Sequence, residues 1–527
     1  MSEFDYVIVG AGSAGCVLAA RLTEDPAVRV LLLEAGPADT QQEIHIPAAF
    51  GALLKSALDW DFVTEPEPGL DGRRTYLPRG RMLGGSSSIN AMVYMRGNRA
   101  DYDGWAQLTG DEGWSYANAL RLFKRSEDNE WGESEFHGTG GPLSVRDSRA
   151  MTPMVDAFVE AATEAGFAHN TDVNGAAQEG FGRFQTTQRD GMRCSAAAAF
   201  LHPALGRPNL TVRTGALVHK VLLENGRAVG VAYERNGDVT EARAAQEVVL
   251  CAGAYQSPQI LMLSGIGPAA ELTPLGIDPV VDLPVGDNLQ DHIVMLMTWT
   301  TDQESLMTAL SPENVALLQA EGRGPLTSNV AEGGGFWHSR DGLPAPDLQM
   351  HIAPVRFHEE GLGVADRHAI TAGPCLLAPE STGTLRLRNA LPNAKPRIQH
   401  NYLATETDRQ AMFSGIRTTL EIAGQPALRD VITGGDIVPR STSDEDLLDF
   451  LQHRAHTLYH PTGTCSMGSV VDSELRVLGV EGLRVADASV MPTVPRGNTN
   501  APTIMVGERA AELIAGRVPS VDAVALA

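Results

Sequence analysis

The chain has 527 residues, 43% of them hydrophobic and 20% charged, with 65 acidic against 41 basic side chains and a formal net charge of -24. That length exceeds what one hydrophobic core usually fills and predicts two interlocked domains. The negative field speaks against nucleic acid or anionic lipid as partners, and no apolar run reaches the ~18 residues of a membrane span.

From its first residues the chain enters a strand pattern, without the basic and apolar regions of a secretion signal, so a cytoplasmic protein is expected. Five widely spaced cysteines (Cys16, Cys194, Cys251, Cys375, Cys465) form no C-x-x-C pair and read as buried free thiols. Phe4 to Val9 is apolar and β-branched. Gly10-Ala-Gly-Ser-Ala-Gly15 then leads into residues with helical spacing, and a second apolar strand, Val28 to Leu33, ends at Glu34. In this β-α-β unit Gly10 permits a tight turn, Gly12 lets backbone approach a pyrophosphate and Gly15 lets the helix pack on the strand. Glu34, 19 residues beyond Gly15, suits the two hydroxyls of a ribose and repels a 2'-phosphate. These residues alone leave FAD and NAD open, since both carry an adenosine diphosphate half.

A Gly- and Pro-punctuated region runs from Ala35 to about Gly141, and a helical pattern resumes near Met151 through Ala165. Leu210 to Tyr233 reads as a hairpin turning at Asn225-Gly226. Glu247 to Leu250 is a buried strand, and Ser257 to Ser264 a helix begun by Pro258. Residues 301 to 345, with Gly322-Arg-Gly-Pro and Gly333-Gly-Gly, suggest a mobile flap. The end reads as a strand, Leu483 to Val485, then a Pro- and Gly-rich turn and a helix from Thr503 to about Ala515. There is no internal repeat.

Gly80-Arg-Met-Leu-Gly-Gly-Ser-Ser-Ser-Ile-Asn-Ala-Met-Val-Tyr-Met-Arg-Gly97 and Gly253-Ala-Tyr-Gln-Ser-Pro-Gln-Ile-Leu-Met-Leu-Ser-Gly-Ile-Gly267 together resemble the paired signatures of the glucose-methanol-choline oxidoreductases. The likeness continues through Asn288-Leu-Gln-Asp-His292, Tyr459-His-Pro-Thr-Gly-Thr464, Gly482 to Ser489 and Gly497-Asn-Thr-Asn-Ala-Pro-Thr503, in order along nearly the whole chain.

The resemblance implies an α/β fold (α+β overall), with a Rossmann-type FAD-binding domain made of residues 1–160, 205–300 and 455–527. Residues 161–204 and 301–454 would form a substrate domain with an antiparallel sheet. It implies FAD contacts at Gly10, Gly12, Ser13, Ala14, Gly15, Glu34, Ala35, Arg81, Leu83, Gly85, Asn90, Ala91, Met92, Val93, Val218, Tyr459, Asp487, Ala488, Thr499 and Asn500. Choline oxidases of the family link flavin to a histidine after Gly-Gly and three small residues. Ile89 stands there in this chain, so FAD is expected without a covalent bond.

The implied reaction is oxidation of a small alcohol by hydride loss to flavin N5. His460 is the base, since neutral imidazole titrates near working pH, and Asn498 is the second catalytic residue, its amide donating to the substrate oxygen. The flavin is reoxidised by oxygen or a quinone. His351 and Trp60 are expected on the substrate side. Asp59 and Asp61, beside Trp60, make a choline-like cation conceivable, but Met295 to Thr300 carry no carboxylate where choline oxidases have one. Primary aliphatic or aromatic alcohols are therefore the first choice, with choline or a cyanohydrin-cleaving lyase on the same fold as alternatives. His453, His456 and His460 have a spacing open to zinc, but Pro461 and Gly463 break the helix, so no metal is expected.

Overall fold

The structure is a computed structural model describing residues 4–150 and 152–516; Met151, where the helical pattern was expected to resume, lies outside them. The strand Phe4–Val9 forms over an unbroken apolar, β-branched run. It pairs in parallel with Val30–Leu33 on one side and with the end of Asp238–Leu250 on the other. Leu210–Arg213 and Leu483–Val485 add to this sheet in the same sense. All four residues of Val30–Leu33 are buried, as a parallel strand covered on both faces requires.

The sheet then turns antiparallel through Ala216–Glu224, Arg227–Arg235 and Asp238–Leu250. Asn225 and Gly226 both take positive φ, 52° and 78°, the backbone a two-residue hairpin prefers. The hairpin is thus Ala216–Arg235, and Leu210–Arg213 belongs to the parallel part.

Two helices close one face. Ser13–Leu22 lies against the last helix, Asn500–Ala515, so closely that a Cβ on Gly507 would meet Ala14 Cα at 3.0 Å. Buried Glu508 receives Arg21 of the first helix through Nη2 at 2.7 Å and Nε at 3.0 Å, and the Ser126 hydroxyl at 3.0 Å. The last helix starts at Asn500, ahead of the expected Thr503, because Pro502 fits its first turn.

The helix expected from Ser257 begins at Gly253 and carries Pro258 inside it. Proline removes the N–H that would bond the carbonyl four residues back. That carbonyl, Ala254 O, instead accepts the Thr464 hydroxyl at 2.7 Å.

The second sheet is antiparallel, in the order Ile432–Ile437, Met297–Thr301, Ala369–Leu376, Leu348–Ala353, Gly333–Trp337, Gly180–Arg183. Leu348, Met350 and Ile352 point into a core shared with Pro153–Glu164 and Glu406–Ala423. Residues 293–300 and 456–457, which the expected boundaries give to the nucleotide-binding unit, pair into this sheet.

Within the segment expected as a flap, the three consecutive glycines are not mobile loop. Gly333, Gly334 and Gly335 form a buried strand, and they are glycines because neighbours fill the space of a side chain. A Cβ on Gly334 would stand 1.8 Å from Met350 O, and one on Gly335 2.4 Å from the Phe181 ring. The five cysteines are buried and free, and no described helix is long and apolar enough to cross a membrane.

Gly334→Ala is expected to destabilise the protein by at least ~1–3 kcal/mol, since the overlap is with backbone. Gly51→Ala, which meets open space, should leave the unfolding midpoint unchanged; equal midpoints in denaturant titrations would refute the packing argument.

Candidate active site

The carboxyl ends of the parallel strands open into a cleft of about 2230 Å³, its solvent-open mouth included, whose far end is walled by the second sheet. Ligands of open α/β sheets bind at such strand ends. Gly10, Gly12, Ser13 and Ala14 line the near end, with Glu34, Ala35, Gly85, Val218, Asp487 and Ala488.

Gly85 (φ 52°) approaches Gly12 so closely that its Cβ would lie 2.8 Å from Gly12 Cα, so two glycine segments distant in sequence meet main chain to main chain. Glu34 accepts the N–H groups of Ala11 at 2.9 Å and Gly36 at 2.8 Å, and burial pushes its carboxyl up to about 7. Asp487 accepts the Gly253 N–H at 2.8 Å and the Ser257 hydroxyl at 2.5 Å. Asn500 accepts the Ser13 hydroxyl at 2.8 Å, tying together the starts of the two packed helices. Those N-termini present unpaired N–H groups to the cleft, a setting for anionic groups.

Further in, the lining includes Asn90, Ala91, Met92, Val93, Thr499, Asn500, Trp60, His351, Tyr459, His460 and Asn498. Three of the expected nucleotide contacts stand outside the lining. Gly15 packs helix on strand, a Cβ there falling 1.9 Å from Gly10 O. Arg81 lays its guanidinium over the Trp60 ring at 4.9 Å, and Leu83 is in the core. The two acids beside Trp60 do not reach the cleft either. Asp59 accepts from the N–H groups of Lys55, Asp61 and Arg79 and from the Tyr76 hydroxyl, and Asp61 pairs with Lys55 at 2.5 Å on the surface.

His460 follows Tyr459, whose φ of 72° is unusual for a residue with a side chain. Three bonds hold this backbone: Tyr459 N–H to Thr457 Oγ1 at 2.6 Å, Arg79 Nη2 to Tyr459 O at 2.6 Å, and His460 N–H to Asp291 Oδ1 at 2.7 Å. The His460 ring lies edge-on to that of His292, Nδ1 to Nδ1 at 2.9 Å, while its Nε2 faces Asn498 Nδ2 at 3.3 Å. His292 Nε2 is 3.2 Å from the carbonyl of Leu377.

Burial holds His292 down to about 4, so it is neutral with one ring proton. A carbonyl only accepts, so that proton sits on Nε2. Nδ1 of His292 is then an acceptor, His460 must donate to it from Nδ1, and the Nε2 lone pair of His460 is turned to Asn498 and the cleft. Burial first, then His292, His351 and Arg79, hold His460 well below the usual 6.5.

His351 sits on the strand Leu348–Ala353, its side chain toward the cleft and neither ring nitrogen hydrogen-bonded; burial pushes it down to about 4, the Asn498 amide beside it pulling the other way. His453 and His456 do not join His460 on a helix face: the helix ends at Arg454 and His456 is in a strand. Among the described residues no group of three or more His, Cys, Asp or Glu is set to hold a metal.

The motif Asn288-Leu-Gln-Asp-His292 has no role that its sequence alone assigns. Its Asp291 and His292 hold the backbone and the ring of His460, a signal that was present in the motif but has no local pattern of its own.

A family model described as GMC oxidoreductase matches residues 4–294 through its N-terminal part and 379–507 through its C-terminal part. The chain is 46% identical to the mitochondrial choline dehydrogenase of Homo sapiens, over 98% of this chain and 90% of that protein. It is 45% identical to the alcohol dehydrogenase (acceptor) of Pseudomonas putida, over 98% and 96%. The crystal structure of pyridoxine 4-oxidase from Mesorbium loti matches with a TM-score of 0.90 and 32% identity, over 98% of this chain and 100% of that one.

With selectively labelled histidine, NMR is expected to find His460 as the Nδ1–H tautomer, and His292→Leu to abolish that preference. An Nε2–H tautomer in the unaltered protein would contradict the hydrogen-bond chain.

Proposed function

The chain belongs to the GMC oxidoreductases, and on that premise we propose that it is an FAD-dependent enzyme oxidising the CH-OH group of a small, uncharged primary alcohol to the aldehyde. The observation that carries this reading is the position of His460 Nε2, 3.3 Å from the Asn498 amide at the far end of a cleft whose near end suits a dinucleotide.

The residues at the near end fit FAD: a buried carboxylate for a ribose, glycines whose space admits backbone only, and helix N-termini for a pyrophosphate. FAD, when bound, supplies the acceptor for the two electrons that leave the carbinol carbon as hydride. His460 Nε2 takes the hydroxyl proton, because burial keeps the ring neutral and His292 keeps its lone pair turned outward. The Asn498 amide donates to the oxygen as negative charge grows there. Val93, Leu296, Val330, Phe357 and Leu458 line the cleft; they exclude water and fit an apolar substituent. The two carboxylates in the lining, Glu34 and Asp487, are engaged at the nucleotide end by the N–H groups of Ala11, Gly36 and Gly253, leaving no counter-charge for a quaternary ammonium such as choline.

Ile89 lines the cleft and has no atom to bond a flavin, so FAD is held non-covalently in this proposal. The division into a nucleotide-binding and a substrate-binding unit belongs to the same reading. So does a cytoplasmic location, which the five free thiols support.

The test is anaerobic mixing with 1-butanol, 1-octanol, benzyl alcohol and choline chloride, following the flavin band. Bleaching by an uncharged alcohol and not by choline is expected, and denaturant should release all the flavin. Bleaching by choline alone would refute the substrate class, and cyanide release from a cyanohydrin without bleaching by any alcohol would point to a lyase. His460→Ala should lower kcat by about 10²–10⁴. Since protonating His460 removes the base, kcat/KM should be flat at neutral pH and fall in acid, with its limb below the ordinary 6.5; a limb above neutrality would contradict the buried, neutral ring.

A further inference from the structure

We propose that Gln349 is a positioning residue that holds the Asn498 amide with its NH2 toward His460. The inference rests on the reading of His460 and Asn498 given above and adds to it a residue outside the cleft lining. An asparagine amide has nearly the same shape either way round, so packing does not choose between its two orientations; hydrogen-bond partners do.

Gln349 is fully buried on the strand Leu348–Ala353, on the face opposite Leu348, Met350 and Ile352. Its Nε2 stands 3.3 Å from Asn498 Oδ1, and its Oε1 has no hydrogen-bond partner. The donors therefore run one way through four bonds: Gln349 to Asn498 Oδ1, Asn498 to His460 Nε2, His460 to His292 Nδ1, His292 to Leu377 O. The backbone carbonyl fixes this direction at one end and the Gln349 amide holds it at the other.

Turning Asn498 over would oppose its Oδ1 to the His460 lone pair and its NH2 to the NH2 of Gln349. The bond to His460 would be lost, and that to Gln349 as well unless Gln349, whose Oε1 has no other partner, turned with it; the donor meant for the developing alkoxide is lost either way. The neighbouring His351 also feels the Asn498 amide, and Gln349 is the partner that meets its Oδ1.

Gln349→Leu removes the donor and Gln349→Glu reverses it. A carboxylate accepts the Asn498 N–H groups and turns Oδ1 onto His460 Nε2, where only a protonated ring bonds well. Both variants are assayed from about pH 5 to about pH 10 with whichever alcohol of the panel above bleaches the flavin fastest, together with thermal midpoints and flavin content.

Expected for Gln349→Leu is a fall in kcat of about 10- to 100-fold with KM little changed. Expected for Gln349→Glu is an acid limb displaced upward by about one pH unit. Folded, yellow variants with kcat within about twofold and an unmoved limb would overturn the proposal. So would an unmoved limb in Gln349→Glu accompanied by equal losses of stability and rate in both, the mark of a purely structural residue. Failure of the underlying reading looks different: His460→Ala would then keep its turnover in an otherwise unaltered protein.

Discussion

A backbone carbonyl accepts hydrogen bonds and never donates them, and the arrangement at the catalytic end depends on that property of Leu377. It places the single proton of buried His292 on Nε2, which forces His460 to donate from Nδ1 and leaves the other nitrogen of His460 as a base. No side chain has to change ionisation to achieve this. Burial does the rest: a low-dielectric surround disfavours every imidazolium in the cluster, so His292, His351 and His460 are all held below the ordinary range.

The segment 456–464 serves both sheets, which explains why so many of its residues are particular. His456 and Thr457 pair with Val294 and Ile293 in the second sheet. Tyr459 takes a left-handed backbone that Arg79, Asp291 and Thr457 pin down. Thr464 satisfies the carbonyl that Pro258 leaves free in a helix of the first unit. The imidazole between them is thus suspended from two bodies, and strain at its neck is stabilised by polar contacts from each.

Much of the first sheet was legible because its signals are local. Phe4–Val9 and Leu483–Val485 occur at their expected bounds, and the turn from Gly10 to Gly15 with Glu34 stands where the spacing set it. His460 and Asn498 meet at 3.3 Å although 38 residues separate them, a contact the motif resemblance carried and periodicity did not. What local pattern misread was set by distant partners. The helix starting at Gly253 tolerates its inner proline through Thr464, far along the chain. Three consecutive glycines suggested mobility, yet they are a strand pressed between Phe181 and Met350. Asp59 and Asp61 looked available for a cation, but backbone N–H groups and lysines already occupy them.

The contact between Gly12 and Gly85 has an evolutionary corollary. Because the cleft is bounded by main chain against main chain at that contact, its width there cannot be tuned by exchanging the two residues; any enlargement pries two segments apart. The opposite end is bounded by the side chains of Val93, Leu296, Val330, Phe357 and Leu458, which can be trimmed or extended one at a time. Directed libraries aimed at new alcohols therefore have natural positions to vary among these side chains, while the glycine contact is left alone.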